Sequence, residues 1–125
     1  ICYVQEDIDH YSMENGYLTA KKLLESGLEV TAIYAVADSL AIGACRAVIE
    51  AGKRIPKDIS VAGYDGIEMG EYYNPKLTTM KQPVEEIAKK TIRLLLDVIG
   101  ERREHQQIVL PAELVVRDST GPCSD

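Results

Sequence analysis

Two aspartates and a tyrosine stand where this 125-residue chain could grip a small molecule. Asp65 ends an apolar run in "ISVAGYDGIE", lying between Gly63-Tyr64 and Gly66. A carboxylate accepts hydrogen bonds from neighbouring hydroxyls, and flanking glycines relieve backbone crowding so that another molecule can approach. The same pattern also suits a turn-forming aspartate, so both readings stand at this point. Asp38 follows the run "TAIYAVA" and precedes a helical pattern, the ordinary place for a helix N-cap. Tyr11 comes just before Ser12, where its ring can lie flat against a sugar or base; taken alone it is a weak signal, since tyrosines are common on surfaces.

Other chemistries find little support. Cys2, Cys45 and Cys123 are odd in number and far apart, without a C-x-x-C pair or a histidine at metal-ligand spacing, so neither a disulfide frame nor a metal site is expected. His10 and His105 are isolated, and the glycines form no G-x-G-x-x-G or other phosphate loop. An enzyme using Asp38 and Asp65 as acid and base therefore lacks the accompanying groups such a site needs, and the expectation is a protein that is not an enzyme and carries no cofactor. Fourteen Lys and Arg against twenty Asp and Glu give a net charge of −6, with the cations scattered, which argues against this chain gripping nucleic acid by itself. No apolar stretch approaches a membrane span and no signal-peptide pattern opens the chain, which fits a reducing, cytoplasmic setting. The start, Ile1-Cys2-Tyr3-Val4, reads as the middle of a longer protein.

The elements that must position these residues alternate. Ile1 to Val4 is a short strand candidate. Ser12 then caps a helix with Leu18, Leu23 and Leu24 on its apolar face, ended by Gly27. "TAIYAVA" (31–37) is β-branched and continuously apolar, the mark of a strand covered on both faces. A helix over "SLAIGACRAVIEAG" closes at Gly52. "DISVAGY" and "LTTMK" give two further strands, and Pro83 opens a long helix whose Glu85 and Glu86 occupy its positive first turn. After Gly100 and the link "ERREHQQ", the segment "IVLPAELVV" is broken by Pro111 and reads as an edge or crossover strand. The fold class expected is α/β, a mainly parallel sheet with helices on both faces. In such sheets ligands bind beyond the carboxyl ends of the strands, where Asp38 and Asp65 both lie.

From "TAIYAVADSLAIGACRAVIEAGKRIPKDISVAGYDGIEMGEYYNPKLTTMKQPVEEIAKKTIRLLLDVI" through "IVLPAELVVRDST", the chain closely resembles the C-terminal part of LacI/GalR-family transcriptional regulators. The resemblance covers nearly the whole chain, with several linked motifs in order. It implies a type I periplasmic-binding-protein-like fold, here incomplete, in which two α/β subdomains joined by three crossover strands hold a small effector in their cleft. A helix-turn-helix and hinge helix precede them in the family, and operator DNA is an expected partner only through that region.

The resemblance assigns residues one by one. Asp65, in "GYDG", matches the acid that accepts hydrogen bonds from effector hydroxyls, and Tyr11, in "DHYSMENGY", matches an aromatic that stacks on the effector. Ala37 falls where some sugar-responsive members carry a hydroxyl-binding residue, so that contact is missing here. Gly66 departs from the Asp or Asn common after the binding acid, and Asp38 matches an acid of structural role. Ile42, Met69, Tyr72 and Tyr73 fall on the family's subunit-contact surface, a composition that also suits a core. Residues 1–83 and 107–125 correspond to the C-terminal subdomain with its crossovers, and 84–106 to a helix and link belonging to the N-terminal subdomain. The helix carries a stripe of Val84, Ile87, Leu95 and Ile99, for which burial is expected either on this chain's sheet or against a second copy. The function implied is sensing of a carbohydrate-like effector and homodimerisation within a regulator. The alternative is a solute-binding protein of a sugar transporter, which shares fold and cleft.

Overall fold

The computed structural model describes residues 10–100 and 107–122. Their elements run α1 (Met13–Glu25), β1 (Ala32–Tyr34), α2 (Asp38–Glu50), β2 (Ser60–Asp65), α3 (Met69–Tyr72), β3 (Thr78–Lys81), α4 (Val84–Ile99) and β4 (Glu113–Val115). The strand expected at Ile1 to Val4 and most of the link "ERREHQQ" lie outside the described residues. Two compact units are present, one comprising the chain up to Lys81 and from Leu114 onward, the other Gln82–Glu113.

The sheet has the order β1-β2-β3-β4. β1 runs parallel to β2 in the register Ile33 to Val61, and β2 runs parallel to β3 in the register Ala62 to Thr78. A parallel neighbour requires a crossover, and α2 supplies the one between β1 and β2. On the covered face, Ile33 and Ala35 pack against a buried cluster that includes Ala41, Cys45 and Val48 of α2, Val61 of β2 and Leu77. Burial of these apolar groups is the main favourable term holding the sheet to its helices. The strand predicted to be covered on both faces is covered on one: Tyr34 and Val36 remain 60% and 58% exposed, while Ile33 and Ala35 turn inward. A run of apolar residues marks where covering is needed and does not itself supply it.

α1 approaches α2 most closely through small side chains, and of the expected leucine face Leu24 packs against the core clusters. Gly16 and Ala20 are its buried residues, whereas Leu18 is exposed. A Cβ on Gly16 would overlap the Leu40 carbonyl, and one on Gly43 would overlap the backbone at Met13, so the two helices touch main chain to main chain. Ser12 caps α1 as expected, its hydroxyl accepting from the Asn15 N–H at 3.1 Å. Gly27 and Gly52 take positive φ beyond the ends of α1 and α2, where a left-handed residue lets the chain leave the helix.

α4 carries the predicted boundaries with Pro83 just ahead of it, and none of its residues is buried. Val84, Leu95 and Ile99 are 63%, 57% and 70% exposed, so among the described residues the stripe is not buried. α3, a single turn, has no counterpart in the sequence reading.

At the amino ends of β2 and β3, residues 117–121 form a strap. Ser119 is fully buried between the two strands. Its hydroxyl donates to the Val61 carbonyl at 2.6 Å and accepts from the Thr78 N–H at 2.8 Å. Its backbone carbonyl accepts from Val61 N–H, and its N–H donates to the Lys76 carbonyl. Arg117 adds a bond to the Leu77 carbonyl at 2.9 Å.

Candidate functional site

At the opposite end of the sheet, the carboxyl end of β1 leads into α2, and the loop after β2 bonds to the first turn of that helix. Asp38 is central there and does not cap the helix. Ala37 is the N-cap residue, in extended backbone, and Asp38 is the first helical residue with its side chain turned away from the turn. The reason is that its carboxylate meets better-placed donors elsewhere. Oδ2 accepts from the N–H groups of Gly66 and Ile67 at 2.8 and 2.9 Å, and Oδ1 accepts from the Thr79 hydroxyl at 2.6 Å. The group is 0% exposed, and a buried carboxylate is tolerated when its oxygens are satisfied in this way.

Asp65, the last residue of β2, is partly exposed and takes φ of 118°, a region that residues with side chains rarely adopt. The glycines around it have uses other than admitting a ligand. A Cβ on Gly63 would collide with Asp38 Oδ1, and one on Gly66 would collide with Lys81. The expectation that both glycines open the backbone to an approaching molecule is therefore corrected: they admit a neighbouring side chain and a neighbouring strand.

Tyr11 is 65% exposed, and its carbonyl accepts from the Ser39 hydroxyl at 2.5 Å. Asn15 holds the same loop through the His10 carbonyl at 2.7 Å. The Tyr11 backbone is thus tied to residue 39 of α2, and the two residues after Asp65 to residue 38. Ala37 lies at that turn too, but it is 4% exposed and offers almost no surface for contact. What sequence reasoning missed is the Asp38 network, whose only local signal was an acid at a strand's carboxyl end.

The predicted subunit-contact residues divide. Met69 and Tyr72 are exposed at 51% and 79%, while Ile42 belongs to the buried core and Tyr73 packs partly against it. Ile42 is accordingly a core residue of this chain and presents no surface. A hollow of about 250 Å³ between α1 and α2, lined by Tyr17, Lys21, Leu24, Glu25, Ala47, Glu50 and Ala51, touches none of the predicted effector residues. Beside it the Tyr17 hydroxyl donates to Glu50 at 2.7 Å, which together with Arg46 holds the Glu50 carboxyl below its ordinary value. Among the described residues no three His, Cys, Asp or Glu side chains converge as metal ligands, and no helix is long and apolar enough to cross a membrane.

A parallel α/β sheet whose candidate ligand groups gather at the strands' carboxyl ends has the architecture of a small-molecule-binding module. Residues 4–120 match the model of the periplasmic binding protein-like domain. The chain is 40% identical over 109 residues to the HTH-type transcriptional regulator MalR of Clostridium butyricum, covering 87% of this chain and 32% of that protein. Among solved structures, a LacI family transcriptional regulator from Enterococcus faecium with bound ribose is 41% identical with a TM-score of 0.81, over 92% of this chain and 42% of that one. The lac repressor dimer bound to operator and the anti-inducer ONPF is 35% identical with a TM-score of 0.83, over 87% and 38%. The chain belongs to the periplasmic binding protein-like domain family. It spans about a third of the length of the curated relatives it matches. Those relatives are named as transcriptional regulators and repressors, not as enzymes.

Proposed function

We propose that this chain is the effector-sensing and dimerisation region of a LacI/GalR-type transcriptional regulator, with a carbohydrate or carbohydrate-like effector. The observation that supports the reading is that the Tyr11 backbone and the loop directly after Asp65 are both bonded to the first turn of α2, in a chain 41% identical to a regulator solved with ribose. The Asp65 carboxylate accepts from effector hydroxyls and the Tyr11 ring covers a sugar face, giving one wall of a cleft. The helix and link at 84–106, which lie within the Gln82–Glu113 unit, belong by this reading to the N-terminal subdomain. An effector that binds one subdomain arrangement more tightly than another biases the protein toward it, and the dimer passes that bias to DNA-binding heads. Met69 and Tyr72 contribute to the subunit contact. The protein acts in the cytoplasm by binding, without catalysis. A solute-binding protein of a transporter shares the architecture, but the relatives' names as regulators favour the first reading.

The test is titration calorimetry of the full chain with ribose and with lactose, beside Asp65→Ala. Two hydrogen bonds to a charged group are worth at least about 1.5 kcal/mol each, so the variant should lose about a hundredfold in affinity for whichever sugar binds, with an unchanged circular dichroism spectrum. Full affinity in the folded variant would overturn the assignment of Asp65.

A further inference from the structure

Asp38 is fully buried, so no effector touches it, and the helix N-cap beside it is a neighbouring residue. Its Oδ2 accepts from Gly66 and Ile67, the two amides directly after Asp65. Asp65 holds φ of 118°, and such a backbone persists only where its surroundings over-determine it. Gly63 leaves the space that Asp38 Oδ1 needs, and Thr79 of β3 donates to that same oxygen. Four separate features thus converge on holding three consecutive residues, 65–67, in one conformation.

We infer that Asp38 is a positioning residue of the effector site: its buried carboxylate locks the backbone of residues 65–67 and so sets the direction in which the Asp65 carboxylate leaves the chain. The functional half of this inference rests on the proposed effector role of Asp65; the backbone half stands without it. The role depends on acceptor geometry more than on charge. In Asp38→Asn the amide oxygen can face the two N–H groups while its nitrogen donates to the Thr79 hydroxyl, which accepts as readily as it donates. Asp38→Ala offers the two amides nothing, and a buried N–H without a partner favours any rearrangement that finds one.

The experiment uses the isotopically labelled full chain with Asp38→Asn, Asp38→Ala and Asp65→Ala. It reads the three-bond amide-to-α-proton coupling of Asp65, which reports φ, the exchange rates of the Gly66 and Ile67 amides, and titration with ribose and lactose. Asp38→Asn should keep the Asp65 coupling and sugar affinity close to those of the unaltered chain. Exchange at Gly66 and Ile67 should rise several-fold, because a neutral acceptor binds an N–H less strongly than a carboxylate. Asp38→Ala should change the coupling toward that of ordinary extended backbone and lose sugar affinity as fully as Asp65→Ala, while amides in the body of α2 remain protected. A folded Asp38→Ala chain with the original coupling and affinity overturns the inference. If that variant does not fold, unchanged Gly66 and Ile67 exchange in Asp38→Asn overturns it equally. Should Asp65→Ala bind sugar normally while Asp38→Ala still shifts the coupling, the effector reading fails and the positioning of the loop stands. Where neither sugar binds the unaltered chain, coupling and exchange decide alone.

Discussion

Cys45 sits fully buried on α2 among Ala41, Val48 and Val61, and burial pushes its thiol up to about 12. The thiolate is the reactive form, so the native protein should protect this cysteine. With Cys2 and Cys123 replaced by serine, iodoacetamide at pH 8 should label Cys45 only in urea; rapid labelling of the folded chain would contradict its place in the core. The same shift makes stability pH-dependent. Because the folded pKa is raised, the contribution is fully present below the unfolded value of about 8.5 and is lost as pH rises from there toward about 12. At this scale the sequence was readable where a residue acts on its immediate neighbours, as with the Ser12 cap. It was misleading where a residue acts at a distance: Asp38 has a cap's address but bonds to residues 28, 29 and 41 positions away.

The strap at 117–121 joins elements that are distant in sequence, and Ser119 is where it is most exposed to test. Ser119→Ala would leave the buried Thr78 N–H and the Val61 carbonyl without their side-chain partner. Buried unsatisfied groups cost about 1–3 kcal/mol, so the unfolding free energy should fall by that amount, seen as a lower urea midpoint with an unchanged slope. A midpoint equal to that of the unaltered chain would mean the hydroxyl contributes nothing. The principal helices and the strands from β1 onward were legible because caps, glycine stops and apolar periods are local signals; α4, at Val84–Ile99, was marked by Pro83 before it, by Glu85 and Glu86 in its first turn and by Gly100 after it. α3 escaped notice because a four-residue helix has too few turns to show a period. The share of Gly16 and Gly43 in the α1–α2 contact was passed over because close approach of two backbones is favoured by small residues, which a search for large apolar ones overlooks.

For the whole molecule, the proposed dimer rests on surface that one copy leaves open. Met69 and Tyr72 are exposed on α3, as are several aliphatic residues of α4, including Val84, Leu95 and Ile99. On either element taken by itself, large exposed apolar groups are the kind of surface that marks an interaction site. Multi-angle light scattering of the full chain should therefore report a dimer, and Met69→Asp combined with Tyr72→Asp should return the mass of a monomer. A dimer that survives both substitutions would place the contact elsewhere. The buried Ser119 carries a consequence of another kind. Since it completes the seam between β2 and β3 from a position 41 residues beyond Thr78, a ribosome finishes both strands well before it makes the residue that bolts them together. During that interval the nascent sheet is open at its amino end, and a chaperone or a misplaced strand has its best chance there.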